Sequence, residues 1–331
     1  MQEPALLDAH GRKITYMRVS LTDRCNFRCV YCMPEEGEPH IPHEEILSFE
    51  ELLRVCRVAA EMGISRFKVT GGEPLCRKGA VDFIRRLKQL PGVAQTTITT
   101  NGALLAPYVD ELAAIGVDGI NVSLDSLSQD HYNNITRARI PLGKVLPAMA
   151  RARDKGILVK INVVPLKDYN ESDLPELINF ALTSGYHIRF IELMPVGRGK
   201  LYEGVPQDNI REMIEESFGP LAPLGRVIGN GPAECFSVAG YSGSVGFISA
   251  VSKKFCHCCN RVRLTSLGFL KTCLHHNIGV HLKPLLRSKA GDAELVQVML
   301  AAVRKKPLAH EFARALRTGD SGNFLMNSVG G

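Results

Sequence analysis

Three cysteines carry the first hint of chemistry. Cys25, Cys29 and Cys32 are spaced C-x3-C-x2-C, directly after a short β-branched run. A structural zinc site is commonly built from four ligands paired as two C-x2-C units, so this loop is one ligand short. Three thiolates suit an iron–sulfur cube with one iron left open, and an open iron can bind a second molecule. A second group lies far along the chain, at Cys256, Cys258, Cys259 and Cys273. Cys256, Cys259 and Cys273 form C-x2-C-x13-C, again three ligands, and His275 or His276 could complete a zinc set. Spacing alone leaves zinc and a second iron–sulfur cluster both open at this position. Of the ten cysteines, Cys56, Cys76 and Cys235 stand alone and read as small buried hydrophobes.

Charge adds a second theme. The net charge is +6, yet residues 251–331 hold 13 Lys/Arg against 4 Asp/Glu, an excess of +9, so the first 250 residues sum to −3. A basic C-terminal third points to an anionic ligand, either phosphates or nucleic acid. Arg261 and Arg263 alternate in a strand-like run, share one face and can grip phosphate bidentately. Lys160, within Val159-Lys160-Ile161, lies in a run that a parallel sheet covers on both faces, so it needs an anionic partner or a cavity.

Elements must position these groups. Strand-like runs at 15–20, 66–70, 96–100, 119–124, 158–164 and 188–193 alternate with helix-like stretches at 49–63, 80–90, 107–115, 142–155 and 173–183. Ser48 with Glu51 is a capping-box signature, and Gly63 is a helix stop. Such βα units predict parallel strands with right-handed crossovers, hence a doubly wound sheet or an incomplete barrel. Ligands in either fold bind at the carboxyl ends of the strands. The alternation breaks at Pro195, which divides the chain into 1–195 and a smaller 196–331 part. That second part holds a helical piece near 208–217, strand-like runs at 235–238 and 245–250, a hairpin over 261–272 turning at Leu267-Gly268, and two further helices. No apolar run approaches the roughly 18 residues of a membrane span. The first 20 residues carry early acids and no apolar core of a signal peptide, so a cytoplasmic location is expected. Thiols stay reduced there, which favours metal or redox chemistry over disulfides.

The cysteine loop, the aromatic Tyr31 before its last cysteine and the turn Gly71-Gly72-Glu73-Pro74 resemble the radical S-adenosylmethionine (SAM) superfamily. The glycines of that turn would let the backbone approach a ligand closely. Further runs resemble the GTP 3′,8-cyclase family of molybdenum-cofactor biosynthesis within it. They are Leu7-Asp8…Gly11-Arg12, Met17-Arg18-Val19-Ser20-Leu21-Thr22-Asp23-Arg24, Thr99-Thr100-Asn101-Gly102, Asn121-Val122-Ser123-Leu124-Asp125-Ser126 and Arg189-Phe190-Ile191-Glu192. The Phe-Cys-x2-Cys-Asn-Arg-x-Arg run at 255–263 and a terminal Gly330-Gly331 complete the likeness, which spans residues 7–331.

The resemblance implies an incomplete (βα)6 TIM-like barrel with a smaller C-terminal iron–sulfur domain. It implies two [4Fe-4S] clusters, one on Cys25, Cys29 and Cys32, the other on Cys256, Cys259 and Cys273. SAM would chelate the open iron of the first, near Tyr31, Gly72, Ser123 and Met194. GTP would lie near Arg18, Lys68, Thr99, Lys160, Arg261 and Arg263, its purine facing the open iron of the second. The implied enzyme is a lyase. Cleaved SAM yields a 5′-deoxyadenosyl radical that takes hydrogen from C3′ of GTP, and closure onto C8 gives (8S)-3′,8-cyclo-7,8-dihydro-GTP. A flavodoxin or ferredoxin would supply electrons, a separate pyranopterin synthase would take the product, and the enzyme would be a monomer or homodimer. The Gly330-Gly331 tail would enter the active site. Lys68 stands where relatives often carry Arg, which keeps the charge and loses the bidentate fork. Cys258 lies between two implied ligands. Other readings of the same residues are a different radical SAM enzyme with an auxiliary cluster, an iron–sulfur scaffold without catalysis, and a zinc-dependent nucleic-acid-binding protein.

Overall fold

In the computed structural model, residues 6–39, 41–225, 228–229 and 231–312 are described. The alternating units form as their patterns demand. Strands β1 (Tyr16–Ser20), β2 (Arg66–Thr70), β3 (Gln95–Thr100), β4 (Gly119–Ser123), β5 (Val159–Val163) and β6 (His187–Ile191) lie side by side in chain order, all parallel. Helices α1 (Phe49–Glu61), α2 (Ala80–Lys88), α3 (Val109–Ile115), α4 (Gln129–Thr136), α5 (Leu142–Asp154) and α6 (Leu174–Thr183) connect them. The capping box of α1 is present in both directions: Glu51 N donates to Ser48 Oγ at 3.1 Å, and Ser48 N to Glu51 Oε2 at 2.7 Å.

The remainder contributes α7 (Gln207–Phe218), β7 (Leu221–Pro223), β8 (Glu234–Val238), β9 (Ser244–Ile248), β10 (Arg261–Leu264), β11 (Phe269–Lys271), β12 (Gly279–His281), α8 (Lys283–Arg287) and α9 (Asp292–Arg304). Its strands do not make a sheet of their own. β9 adds parallel to β6 at one edge and β10 adds parallel to β1 at the other, each continued by antiparallel strands. The sheet order is therefore β12-β11-β10-β1-β2-β3-β4-β5-β6-β9-β8-β7. The division at Pro195 follows the end of the βα repeat along the chain, while the sheet runs on through both parts. The predicted hairpin forms between β10 and β11, with Gly268 at φ 81°, a left-handed turn position suited to glycine. Neither β7 nor β12 exceeds three residues, too short for periodicity to reveal. Helix α4 (QDHYNNIT) escaped sequence detection because its residues are mostly polar and lack an apolar stripe.

Side chains alternate strictly between two environments. Met17, Val19, Phe67, Val69, Val262 and Leu264 are buried in the core packed with the helices. Arg18, Lys68, Thr70, Arg261 and Arg263, on the other face, line a cavity. Fully covered parallel strands ordinarily read as continuous apolar runs. These do not, because the inner face encloses a polar chamber. Each large core side chain removed from water contributes roughly 1.5–3 kcal/mol, so the outer layer carries the stability and leaves the inner face free for chemistry.

The Gly71-Gly72 turn has a reason other than ligand approach. A Cβ on Gly72 would lie 2.4 Å from Arg24 O and 2.6 Å from Asp23 O; one on Gly71 would lie 2.6 Å from Thr22 O. The turn is pressed against the backbone that leads into the cysteine loop, and Gly72 N donates to Thr22 O at 2.7 Å, Glu73 N to Arg24 O at 2.8 Å. Gly72→Ala must push that segment away, at a cost of about 1–3 kcal/mol or more for overpacking. Anaerobic iron analysis of the variant is expected to show the first cluster depleted, and a wild-type iron content would show that the loop tolerates displacement.

Candidate active site

The cysteine loop is held from three sides. Arg28 N donates to Thr136 O at 2.8 Å and Val30 N to Ile135 O at 2.9 Å, so the end of α4 pins it. Asn101, after β3, donates from Nδ2 to Asn26 Oδ1 at 2.8 Å and lies 3.9 Å from Cys25 Sγ. Tyr31 donates its hydroxyl to Asp125 Oδ2 at 2.8 Å, and Asp125 Oδ1 accepts from Val164 N at 2.8 Å. The Thr-Thr-Asn-Gly and Asn-Val-Ser-Leu-Asp-Ser runs thus serve as braces for this loop.

Glu73 ties the strand ends together. It is buried, and its carboxylate accepts from Leu75 N at 3.0 Å, Thr100 Oγ1 at 2.9 Å and Asn101 N at 2.7 Å. Burial raises its pKa to about 7, partly offset by those donors. Burial likewise raises Asp125 to about 6, against the Val164 N–H and the Tyr31 hydroxyl.

Cys25, Cys29 and Cys32 all line one cavity of about 280 Å³. Burial, then the nearby Glu73, Cys32 and Cys76, pushes the Cys25 thiol up to about 12, with the Phe27 N–H opposing. Burial, with Cys32, Asp125 and Cys25 nearby, lifts Cys29 well above its ordinary value. Thiols so placed do not ionise unaided; a metal that takes up their charge makes them thiolates. Among the described residues no three His, Cys, Asp or Glu side chains close on a single metal ion. In an iron–sulfur cube each cysteine holds its own iron, so convergence on one ion is not required. Cys76, expected in the core, is exposed beside this loop, its Sγ 3.7 Å from Asn26 Oδ1. The Gly-Gly-Glu-Pro turn carries it there. Cys56 and Cys235 are buried as expected.

Cations line the same cavity as the thiols. Parallel pairing sets Arg263, Arg18 and Lys68 in one row across β10, β1 and β2. Lys68 is held well below the ordinary lysine value by burial first, then by Arg189, Arg18, Lys160 and Arg261. Desolvation and Arg18 lower Arg263 to about 9. Crowding like charges in a low-dielectric wall is costly unless a polyanion compensates. Thr99 and Arg189 add to the case: Thr99 Oγ1 and Arg189 Nε are buried without a hydrogen-bond partner among the described residues. Sequence reasoning had not assigned Arg189 to the site. It is buried, lines the cavity and donates to Asn121 Oδ1 at 2.6 Å and Asn162 Oδ1 at 2.5 Å. A buried arginine in mid-strand was the available signal.

The other expected residues fall as follows. Tyr31, Gly72, Ser123 and Met194 line the cavity, as do Arg18, Lys68, Thr99, Arg261 and Arg263. Lys160 does not; it is buried and donates to Ile228 O at 3.1 Å. Cys256, Cys259 and Cys273 do not line the cavity, but their neighbours Phe255, Arg261 and Leu274 do. Gly330 and Gly331 lie outside the described residues.

Comparison with known proteins accounts for this arrangement. The radical SAM superfamily profile matches residues 19–181, and the Molybdenum Cofactor Synthesis C profile matches 186–312. A GTP 3′,8-cyclase of Clostridium perfringens (strain 13 / Type A) is 40% identical over 324 residues, covering 98% of this chain and 99% of that one. One of Heliobacterium modesticaldum is 42% identical over 330 residues, covering 98% and 100%. The chain belongs to the GTP 3′,8-cyclase family. Streptococcus suis SuiB, in its structure bound to S-adenosylmethionine, superposes with a TM-score of 0.63 over 89% of this chain and 69% of that one, at 13% identity, a likeness of fold. Members of this family use radical SAM chemistry with two [4Fe-4S] clusters, and the fold is the incomplete barrel, one of the two arrangements the βα pattern allowed and the one the resemblance implied.

Two histidines, His275 and His276, follow the last cysteine of the second group. His276, one candidate for a fourth zinc ligand, has its Nε2 on Ala309 O at 3.1 Å. His275 stacks edge-on against His276 and Phe312. Cys258 is exposed, its Sγ 3.4 Å from Phe255 O, whereas Cys259 is half-buried. Burial works to raise the Cys259 thiol, but the Lys306 charge, the Arg261 N–H, the Arg261 charge and a Lys306 hydrogen bond outweigh it and hold it below the ordinary value. Glu192, last of the Arg-Phe-Ile-Glu run, anchors the approach to this group by accepting from Val251 N at 2.7 Å and Ser252 N at 3.0 Å. No described helix is long and apolar enough to cross a membrane.

Proposed function

We propose that this chain converts GTP to (8S)-3′,8-cyclo-7,8-dihydro-GTP, the first step of molybdenum-cofactor biosynthesis. The observation that carries the reading is a single cavity lined by three thiols and by a row of cations. When bound, the first cluster and SAM supply a 5′-deoxyadenosyl radical. Cys25, Cys29 and Cys32 hold that cluster, while the walls near Tyr31, Gly72, Ser123 and Met194 seat SAM. Arg18, Lys68, Thr99, Arg261 and Arg263 hold the triphosphate, with Lys160 reinforcing the positive charge from beneath. Arg189 braces this wall through Asn121 and Asn162. Cys256, Cys259 and Cys273 hold the second cluster against the purine. Fixing ribose and base in one geometry replaces a loose encounter by a near-attack arrangement. Enclosure keeps a reactive radical from water and stray C–H bonds.

We also infer that residues 1–195 form the radical core and 196–331 the substrate-facing extension, with Gly330-Gly331 reaching the substrate. A flavodoxin or ferredoxin supplies electrons in the cytoplasm, a pyranopterin synthase consumes the product, and the enzyme acts as a monomer or homodimer.

The test is anaerobic reconstitution with iron, sulfide and zinc measured together, followed by turnover of GTP deuterated at C3′. Roughly eight irons per chain, for two four-iron cubes, and deuterium in 5′-deoxyadenosine support the reading. Zinc in their place, or deuterium left in the product, overturns it.

A pH effect follows from the cation row. Burial and neighbouring Arg189 lower Lys160 to about 8, and Lys68 is held well below its ordinary value. An incoming triphosphate favours their charged forms, so binding must take up protons wherever the free site has lost them. GTP affinity is therefore expected to fall as pH rises through 8, by up to about tenfold per pH unit for each proton taken up. Calorimetry in two buffers of different ionisation enthalpy reads the uptake; identical heats would show that no proton is linked.

A further inference from the structure

The residue after α9 and its cap is unusual. Lys306 is only 3% exposed, and no carboxylate is among its described partners. Its ammonium donates to Arg261 O at 2.8 Å and to Thr272 O, and its charge acts on the nearby Cys259. Two of its three donors thus meet backbone carbonyls. Arg261 stands two residues after Cys259, and Thr272 stands immediately before Cys273. One side chain therefore joins the start of β10 to the end of β11, the two strand ends that carry Cys259 and Cys273.

A buried ammonium is expensive without a counter-charge. The acceptor that can supply one is the Cys259 sulfur as a thiolate, the form a metal ligand takes.

The framework around Lys306 is rigid. Helix α9 buries Leu295, Met299, Ala302 and Val303, and Asp292 at its start pairs with Arg54 at 2.8 Å and Arg57 at 2.5 Å on α1. Lys306 N caps it on Val303 O at 2.9 Å. The next two carbonyls, Pro307 O and Leu308 O, accept from Arg12 at 2.6 and 2.8 Å, and Arg12 also donates to Cys256 O at 2.7 Å. Asp8 fixes Arg12 in turn, at 2.5 Å. The segment after α9 thus touches the surroundings of all three cysteines of the second group.

We propose that Lys306 is the positioning residue of the second cluster: it locks the strand ends next to Cys259 and Cys273 together and places a positive charge against the bound cube. This rests on the cluster assignment given under the proposed function. The first group has the opposite surroundings, with Glu73 and Asp125 carboxylates near its thiols. Removing the Lys306 charge therefore acts on one cluster alone.

The experiment is a reductive titration, followed by electron paramagnetic resonance, of anaerobically reconstituted full-length protein. Lys306→Gln keeps a donor and loses the charge; Lys306→Arg keeps the charge. The second cluster's signal is identified as the one missing in Cys273→Ala. In Lys306→Gln its reduction equilibrium is expected to become at least tenfold less favourable, 59 mV for one electron. The first cluster should be unmoved and Lys306→Arg close to wild type. An unchanged potential in Lys306→Gln, or an equal shift of both signals, overturns the proposal. So does loss of the second cluster from the Gln and Arg variants alike, which would mean packing without a role for charge. Wild-type protein with a single cube is a separate failure, that of the ligand assignment.

Discussion

Replacing any one of Cys25, Cys29 and Cys32 by Ala is expected to abolish SAM cleavage. Burial and the nearby Glu73 and Cys32 lift the Cys25 thiol to about 12, and burial lifts Cys29 well above its ordinary value, so a metal must take up their charge. Cys76 is close, 3.7 Å from Asn26 Oδ1, but it belongs to the Pro74–Cys76 turn and not to the loop. A cube with only two protein ligands is not retained, and without it SAM receives no electron. Assay of 5′-deoxyadenosine with dithionite as reductant checks this. Cysteine-to-alanine changes at 256, 259 or 273 should differ, removing cyclic product while leaving some uncoupled SAM cleavage. Cys258→Ala should keep both clusters. Iron lost from Cys258→Ala but kept in Cys259→Ala would reverse the ligand assignment.

Arg261→Ala and Arg263→Ala should each weaken GTP binding by roughly 1–3 kcal/mol, the range for a charge-assisted hydrogen bond. Arg263 pairs across the sheet with Arg18, which pairs with Lys68. Arg261 sits opposite Tyr16, its guanidinium 5.8 Å from that ring and 5.2 Å from Phe255. The losses should shrink for guanosine, which has no phosphates to grip. Truncating Arg263 also relieves like-charge crowding in the free protein, so weaker binding should not bring an equal loss of stability. Equilibrium binding of both ligands beside denaturant melts separates the two effects. Equal losses for GTP and guanosine would make these arginines structural.

Much of this was legible in the chain. The six βα units follow from period-2 and helical runs, and the Ser48–Glu51 box marks α1 where it begins. The cysteine loop could be recognised because three ligands crowd into eight residues. Arg189 was harder to assign, since one arginine in an apolar run does not say which face it occupies until its neighbours' register is known. Helix α4 was invisible for lack of an apolar stripe, yet its last carbonyls hold the cysteine loop. Lys306 lies 33 residues beyond Cys273, and only tertiary packing brings it to Cys259. Long-range second partners of a site leave no local spacing to read.

The strict alternation of the inner strands also governs which changes the chain can accept. Adding one residue within β2 would turn Phe67 toward the chamber and Lys68 into the layer beneath the helices, two errors from one event. Adding two would restore both faces. A one-residue insertion within these strands is therefore tolerated only where a bulge absorbs it, while the connecting loops are free of that rule. During folding the same arithmetic acts as proofreading. A strand pairing one place out of step puts a cation in oil and a phenyl ring in water at once, so such a misregister is penalised on both faces together.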